Sequence, residues 1–347
     1  MFKRILVPLD GSKRAERALP VAARIARETH GSLLLVRVVS MATELWPYVD
    51  LETAYTQAVV ETELREAAHY LDSQAAVPEL AGISVEIVVL HGPTAATILS
   101  VALSHGADLI TICSRSYTGM TRWVMGSIAD KLARHSSVPV LILRDNGLQP
   151  LTRDASSSQP LRLLAALDGS SRAMASLLPA AALLSALAAP GRGTLHLARV
   201  VKPVLAEQED EESYSFNLRN SEQEVIEATC YLSKTVEHLR AGHLSKIVDL
   251  TWSAVIDTDV ARGIVRMAEC LDNLKDGGDE FDMIAISTHG HGGIQNWVTG
   301  SISQRVLNAT RLPILLVRPP DMIKKQDAMM EHISVTTIAE VHTIHSH

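Results

Sequence analysis

Two loops in this chain end in a pattern suited to holding an anion. Residues 114–128, SRSYTGMTRWVMGSI, return at 288–302 as THGHGGIQNWVTGSI, and both close on Trp-Val-Met/Thr-Gly-Ser-Ile. Gly126-Ser127 and Gly300-Ser301-Ile302 open helical runs, IADKLARH in one copy and ISQRVLNA in the other. Backbone N–H groups and a hydroxyl then point out of a helix N-terminus, where unsatisfied donors and the helix dipole favour negative charge. The second loop adds Gly290, Gly292 and Gly293 at its front, and residues without Cβ let backbone amides come close to a phosphate chain. A glycine-rich loop by itself is a weak signal. One that follows a buried strand and ends in Gly-Ser at a helix start is a strong one.

A carboxylate recurs in the same way. LVPLDGSKRAERALP from Leu6 matches LAALDGSSRAMASLLP from Leu164, which sets Asp10 against Asp168. Each ends a short apolar run, where it can accept hydrogen bonds from a ribose hydroxyl or hold a metal through water. Its plainer role is to cap the helix that Asp-Gly-Ser begins. Recurrence does not choose between the two, because duplicated helices need duplicated caps.

The elements that must position these residues are themselves repeated. LLLVRVV at Leu33 matches LHLARVV at Leu195, ADLITICSRS matches FDMIAISTHG, and SSVPVLILR matches TRLPILLVR. Short continuous runs of Val, Ile and Leu read as parallel strands buried on both faces. Between them SKRAERALPVAARIARETHG, ETAYTQAVVETELREAAHYLDSQ and PTAATILSVALSHG carry helical spacing, with Gly31 and Gly106 as stops. Five strands with crossover helices, twice, predict an α/β fold of two tandem doubly wound parallel sheets, flavodoxin-like or Rossmann-like, with helices on both faces. The expected divisions are a first repeat over 1–146, a linker over 147–160, a second repeat over 161–319 and a flexible tail over 320–347. The surplus length of the second copy is expected in the acidic, polar stretch KPVLAEQEDEESYSFNLRN, as a solvated loop, and in LDNLKDGGDE. Apolar last strands invite the two repeats to pair through VPVLIL and LPILLV about a pseudo-twofold axis, and leave further oligomerisation open.

Bulk composition narrows the chemistry. The 347 residues are 47% hydrophobic, enough for two cores, and 32 basic against 39 acidic residues give a formal charge of −7. No Lys/Arg cluster suits a run of phosphates, so nucleic acid is not an expected partner. No apolar run reaches the ~20 residues of a membrane span, and the first strand begins at Arg4, so neither membrane nor signal peptide is expected and the protein reads as cytoplasmic. Three cysteines without CxxC spacing suggest neither disulfides nor zinc, and Cys113 reads as a buried thiol.

These residues carry a family resemblance. From about Phe2 to Pro319 the chain resembles a tandem universal stress protein. ATP-binding members of that family have an Asp after the first strand and a loop of the form Gly, two residues, Gly, nine residues, Gly-Ser/Thr. In the second copy the pattern falls on Ser287, Gly290 and Gly300-Ser301, with only the first glycine replaced. In the first it falls on Cys113, Ser116 and Gly126-Ser127, with both leading glycines gone. The resemblance implies that Asp168 and Val200 flank adenosine while Gly290, Gly300 and Ser301 hold phosphates, with Mg²⁺ or Mn²⁺ on the nucleotide. Asp10, Val38, Gly126 and Ser127 are the first copy's counterparts, in a repeat expected to have lost phosphate binding.

Two function classes stay open. One is a nucleotide-binding regulatory module whose occupancy changes the surface shown to a protein partner; the other is a slow ATPase or nucleotidyl transferase, with Arg305 as its arginine. A nucleotide-free scaffold is the third reading. No nucleophile elbow, Walker lysine or HExxH motif is present, so no catalytic residue is assigned. His289 and His291 read as solvated loop residues, the histidines of the tail as unstructured, and Trp123 and Trp297 as packing under the loops.

Overall fold

The computed structural model describes residues 1–40, 54–114, 125–144, 151, 160–203, 211–242, 244–269, 280–289, 300–321 and 340–344. Two compact units emerge, one built on each repeat. The expected linker lies almost wholly outside the described residues, as do 271–279, Gly290, His291, Ser116, Trp123 and Trp297.

In the first unit the chain runs β1 (Arg4–Pro8), α1 (Lys13–Glu16), α2 (Ala18–Thr29), β2 (Ser32–Val39), α3 (Ala54–Ala75), β3 (Val85–His91), α4 (Thr94–Ser104), β4 (Leu109–Ser114), α5 (Ser127–His135) and β5 (Val140–Arg144). Its repeat strands stand in the order β3-β2-β1-β4-β5, all parallel. The second unit repeats the scheme with β6 (Arg162–Ala166), α6 (Ser171–Met174), α7 (Leu177–Ala188), β7 (Gly193–Val201), α8 (Glu211–Ala241), β8 (Val248–Ile256), α9 (Val260–Ala268), β9 (Met283–Ser287), α10 (Ser301–Ala309) and β10 (Ile314–Val317). The order there is β8-β7-β6-β9-β10, again parallel. The doubly wound α/β fold expected from the sequence is therefore present twice. In each unit strand order reverses beside the first strand, between β1 and β4 or between β6 and β9, and ligands of such sheets bind there at the carboxyl ends.

Continuous apolar runs became central strands because both faces are covered: β4, β5, β9 and β10 are buried along their whole length. Two local expectations are corrected here. The helix expected after each Asp-Gly-Ser is two helices. Pro20 and Pro179 explain it, since a proline ring collides with the carbonyl four residues earlier, that of Glu16 or of Ala175, so α1 stops at Glu16 and α6 at Met174 with Ala175 as its C-cap. The left-handed stop of α2 falls on His30 (φ 50°), not on Gly31; Gly31 serves close approach instead, because a methyl there would lie 2.7 Å from the Phe2 carbonyl oxygen. Gly106, with φ +61°, is the stop expected after α4.

The acidic stretch of the second repeat is helical from Glu211, where a loop was expected, and extends α8 to 31 residues against 22 in α3. The tail, expected to be flexible, contributes β11 (Glu340–Ile344), which pairs antiparallel with β3, Glu340 opposite Val89 and Ile344 opposite Val85. An edge strand's open N–H and C=O groups are the template for such an addition. The apolar span Ser171–Ala188 is long enough to cross a membrane by length and composition. In the fold it is core, with Leu177, Leu183, Leu184 and Leu187 buried and α7 packed on β6 and β7.

Candidate nucleotide cleft

Each site starts from the turn after the first strand of its repeat. Gly11 and Gly169 have φ of +83° and +90°, a conformation that side chains resist. That turn lets Asp10 Oδ1 accept from the Ser12 N–H at 2.9 Å and hydroxyl at 2.5 Å, and Asp168 Oδ1 from the Ser170 N–H at 2.9 Å and hydroxyl at 2.6 Å. The serines, not the aspartates, cap the helices: Ser12 Oγ accepts from Ala15 N at 3.2 Å and Ser170 Oγ from Ala173 N at 3.0 Å. Helix capping thus fails to account for either carboxylate, each of which lies at the carboxyl end of its sheet and lines a cleft. Burial works against ionisation of Asp10, but the hydrogen bonds from Ser12 and the Arg14 charge outweigh it and hold the carboxyl below its ordinary range.

Opposite Asp168 stand the end of β9 and the start of α10. Thr288 N donates to Val317 O at 2.9 Å, which prolongs the ladder past Ser287. Ser287 Oγ donates to His289 O at 3.0 Å, and Thr288 Oγ1 lies 3.0 Å from His289 Nδ1. His289 is therefore buried, at 2% exposure, and not the solvated loop residue expected. Gly300 N donates to Thr288 O at 2.6 Å, and a methyl at 300 would lie 2.9 Å from that same oxygen, so only glycine fits. Ser303 Oγ donates to Gly300 O at 2.9 Å and Thr288 O at 3.1 Å, fixing the first turn. Gly300 gives α10 no side-chain cap, so the first-turn amides of Ser301 and Ile302 remain donors for something other than a cap.

Asp168, Val200, Ser287, Gly300, Ser301 and Ile302, six of the seven residues assigned to this site from sequence, line one cavity of 160 Å³. The seventh, Gly290, lies outside the described residues. His289 joins them, with Val260 and Ile264 from α9. Those two had looked like any helix's core-facing stripe, and nothing in their spacing marks a cleft. In the first repeat Asp10, Val38, Gly126 and Ser127 likewise meet, in a cavity of 390 Å³ that Arg14 and Cys113 also line. Among the described residues a methyl at Gly126 would meet nothing within 4 Å, so the steric demand at 300 has no counterpart there among them.

The family model for the universal stress protein family matches residues 1–144 and 161–318. The chain belongs to the universal stress protein family. It is 28% identical over 148 residues to universal stress protein YxiE of Bacillus subtilis, covering 42% of this chain and all of that one. With universal stress protein MJ0531 of Methanocaldococcus jannaschii it shares 27% over 145 residues, 42% of this chain and 83% of that one. Each alignment has the length of a single repeat. Two solved structures span the tandem: a universal stress protein from Archaeoglobus fulgidus, at TM-score 0.57, 17% identity and coverage of 92% and 99%, and the functionally unknown protein PA1789 from Pseudomonas aeruginosa, at 0.60, 17%, 96% and 98%. Identities this low speak for the fold alone.

Within this universal stress protein Arg305, the cation considered for phosphoryl transfer, is bound by the carboxylate of Asp259. Asp259 in turn caps α9 through Ala261 N and Arg262 N. Arg262 and Arg266 meet on buried Asp257, each at 2.9 Å. The backbone N–H of Asp259, ahead of both arginines, holds Asp257 below the ordinary carboxylate range. Among the described residues no group of three His, Cys, Asp or Glu side chains suits a metal ion.

Proposed function

We propose that the second repeat binds ATP and that this universal stress protein is a regulatory module whose surface, read by a protein partner, changes with occupancy. The observation that carries the reading is the single cavity that unites Asp168, Val200, Ser287, Gly300, Ser301 and Ile302. A carboxylate suits ribose hydroxyls, a valine suits the adenine face, and uncapped first-turn amides suit phosphate. The donor set fits Mg²⁺ or Mn²⁺ carried on the nucleotide's phosphates and not a protein cage, because the cleft offers one carboxylate and several hydroxyls. The metal would neutralise phosphate charge, with Asp168 the side chain able to reach it through water. The first repeat binds nucleotide weakly, since Cys113 and Ser116 stand where glycines let backbone approach phosphate. A regulator of this kind belongs with the cytoplasmic ATP pool.

Titration calorimetry of the whole chain with Mg-ATP tests this. About one site is expected, lost in the Gly290→Ser, Ser301→Ala variant. Two equal sites, or binding that survives those changes and disappears with Asp10→Ala, would move the competent site to the first repeat.

A further inference from the structure

Arg305 stands one turn past the uncapped amides at the start of α10. It follows Ser301 by four residues on the same helix face, and long helical side chains lean back over the turn nearer the N-terminus. Its guanidinium is engaged by another element: Nη2 donates to Asp259 Oδ2 at the start of α9, which packs on α10. Oδ1 of the same carboxylate caps α9, accepting from Ala261 N at 3.1 Å and Arg262 N at 3.2 Å. Burial opposes ionisation of Asp259, but the Arg262 amide and the Arg305 charge outweigh it and hold the carboxyl below its ordinary range. One ion pair therefore ties together the two helices that give the cavity Val260, Ile264, Ser301 and Ile302, while Arg305 is not among the described residues that line it. The first repeat has no such tie. Thr94 and Ile98 line its cleft as Val260 and Ile264 line the second, which sets Pro93 against Asp259, each the N-cap of its helix. Pro93 offers no carboxylate, and Lys131 stands four residues after Ser127 where α10 has Arg305.

We infer that Arg305 reads the outer phosphates of the nucleotide and that Asp259 is its resting partner: a phosphate chain reaching past the first-turn amides takes the guanidinium from Asp259 and unties α9 from α10. The inference rests on the reading of the second cleft as an ATP site, and it makes the seam between α9 and α10 the surface that changes with occupancy. The exchange is favourable because a triphosphate carries several charges against one carboxylate, and the planar guanidinium pairs with phosphate through two hydrogen bonds. The resting pair is also partly exposed, at 54% for the Arg305 side chain and 29% for that of Asp259, and such pairs are weak. Asp259 gives up one donor only, since Oδ1 keeps the cap. AMP, with no phosphate beyond the first, leaves the pair in place.

Titration calorimetry of the full chain with Mg-ATP and with AMP tests this in wild type, Asp259→Asn, Arg305→Gln and the double variant. Asparagine is as good an N-cap as aspartate but carries no charge to hold the guanidinium. Asp259→Asn is expected to raise Mg-ATP affinity about fivefold and to leave AMP within about twofold, Arg305→Gln to lower Mg-ATP affinity about fivefold, and the double variant to match Arg305→Gln. Amide hydrogen exchange supplies a second readout: α9 should exchange faster in the wild-type chain saturated with Mg-ATP than with AMP, and that difference should vanish in Arg305→Gln. A gain from Asp259→Asn that persists beside Arg305→Gln is a general charge effect and overturns the inference. So does a gain shared equally by AMP, or Mg-ATP binding indifferent to Arg305→Gln. A wild-type chain that binds no Mg-ATP overturns the proposed function, while faster α9 exchange in nucleotide-free Asp259→Asn still supports the tie between the helices.

Discussion

Lowering the pH should weaken the second repeat through one histidine. His196 on β7 lies 2.8 Å from Thr251 Oγ1 by Nδ1 and 2.8 Å from Ser253 Oγ by Nε2, and packs on Phe281 with ring centroids 5.2 Å apart. The Arg162 guanidinium sits over the same ring at 4.6 Å. Burial first, and then the Arg162 charge, push its pKa from 6.5 down to about 4. The folded value is the lower one, so the unfolded chain takes up the proton first as pH falls. The histidine's contribution is whole above pH 6.5 and is lost as pH falls through about 4. At about 1.4 kcal/mol per pH unit the loss over that window is about 3 kcal/mol. Leu34 occupies the same place on β2 and is fully buried, so His196→Leu is the matched non-titrating variant. Urea midpoints at pH 7.5, 6, 5 and 4.5 should fall more steeply for wild type than for the variant, and the His196 ring resonance should titrate near 4. A midpoint near 6.5, or equal slopes in the two proteins, would refute the reasoning.

Further outcomes follow from the two clefts. Gly300→Ala forces a methyl against the Thr288 oxygen, 2.9 Å away, and should cost about 1–3 kcal/mol in thermal unfolding and abolish Mg-ATP binding. Gly126→Ala, whose methyl meets none of the described residues, should leave melting within about 0.5 kcal/mol of wild type. Asp168→Asn should weaken Mg-ATP about tenfold by calorimetry yet leave α6 intact by circular dichroism, because Ser170 supplies the cap. Glu269→Ala strips partners from Thr310 Oγ1, Arg311 N and Arg311 Nε and should destabilise the second repeat by about 2 kcal/mol in urea titration.

Most of this architecture was legible because it is written in short-range pattern. Continuous Val/Ile/Leu runs give buried parallel strands, three-and-four spacing gives helices, and Asp-Gly-Ser and Gly-Ser mark the turns where strand meets helix. Since the carboxyl ends of parallel strands share one edge of a sheet, that pattern set Asp168 and Gly300-Ser301 on one edge, the family resemblance added Val200, and all four line one cleft. The two helix breaks are written in the sequence too, in Pro20 and Pro179, whose rings exclude a carbonyl four residues back.

Contacts between distant segments were not legible. Thr288 and the ladder to Val317 bury His289, which local polarity reads as solvated. Val260 and Ile264 line the cleft although their spacing is that of any amphipathic helix. β11 follows no repeat pattern and takes its place by pairing with the edge of β3. Sequence by itself determined two copies of one fold, the strands and helices of each, and the residues at their strand ends, because periodicity and turn chemistry act over a few residues. Tertiary structure decided which charge meets which: Arg14 finds Asp10 four residues away, while Arg172, in the same local sequence, finds Asp321 across 149 residues. An ion pair depends only on which opposite charge the fold brings within reach, and that distance is set by the packed backbone, not by neighbours in the chain.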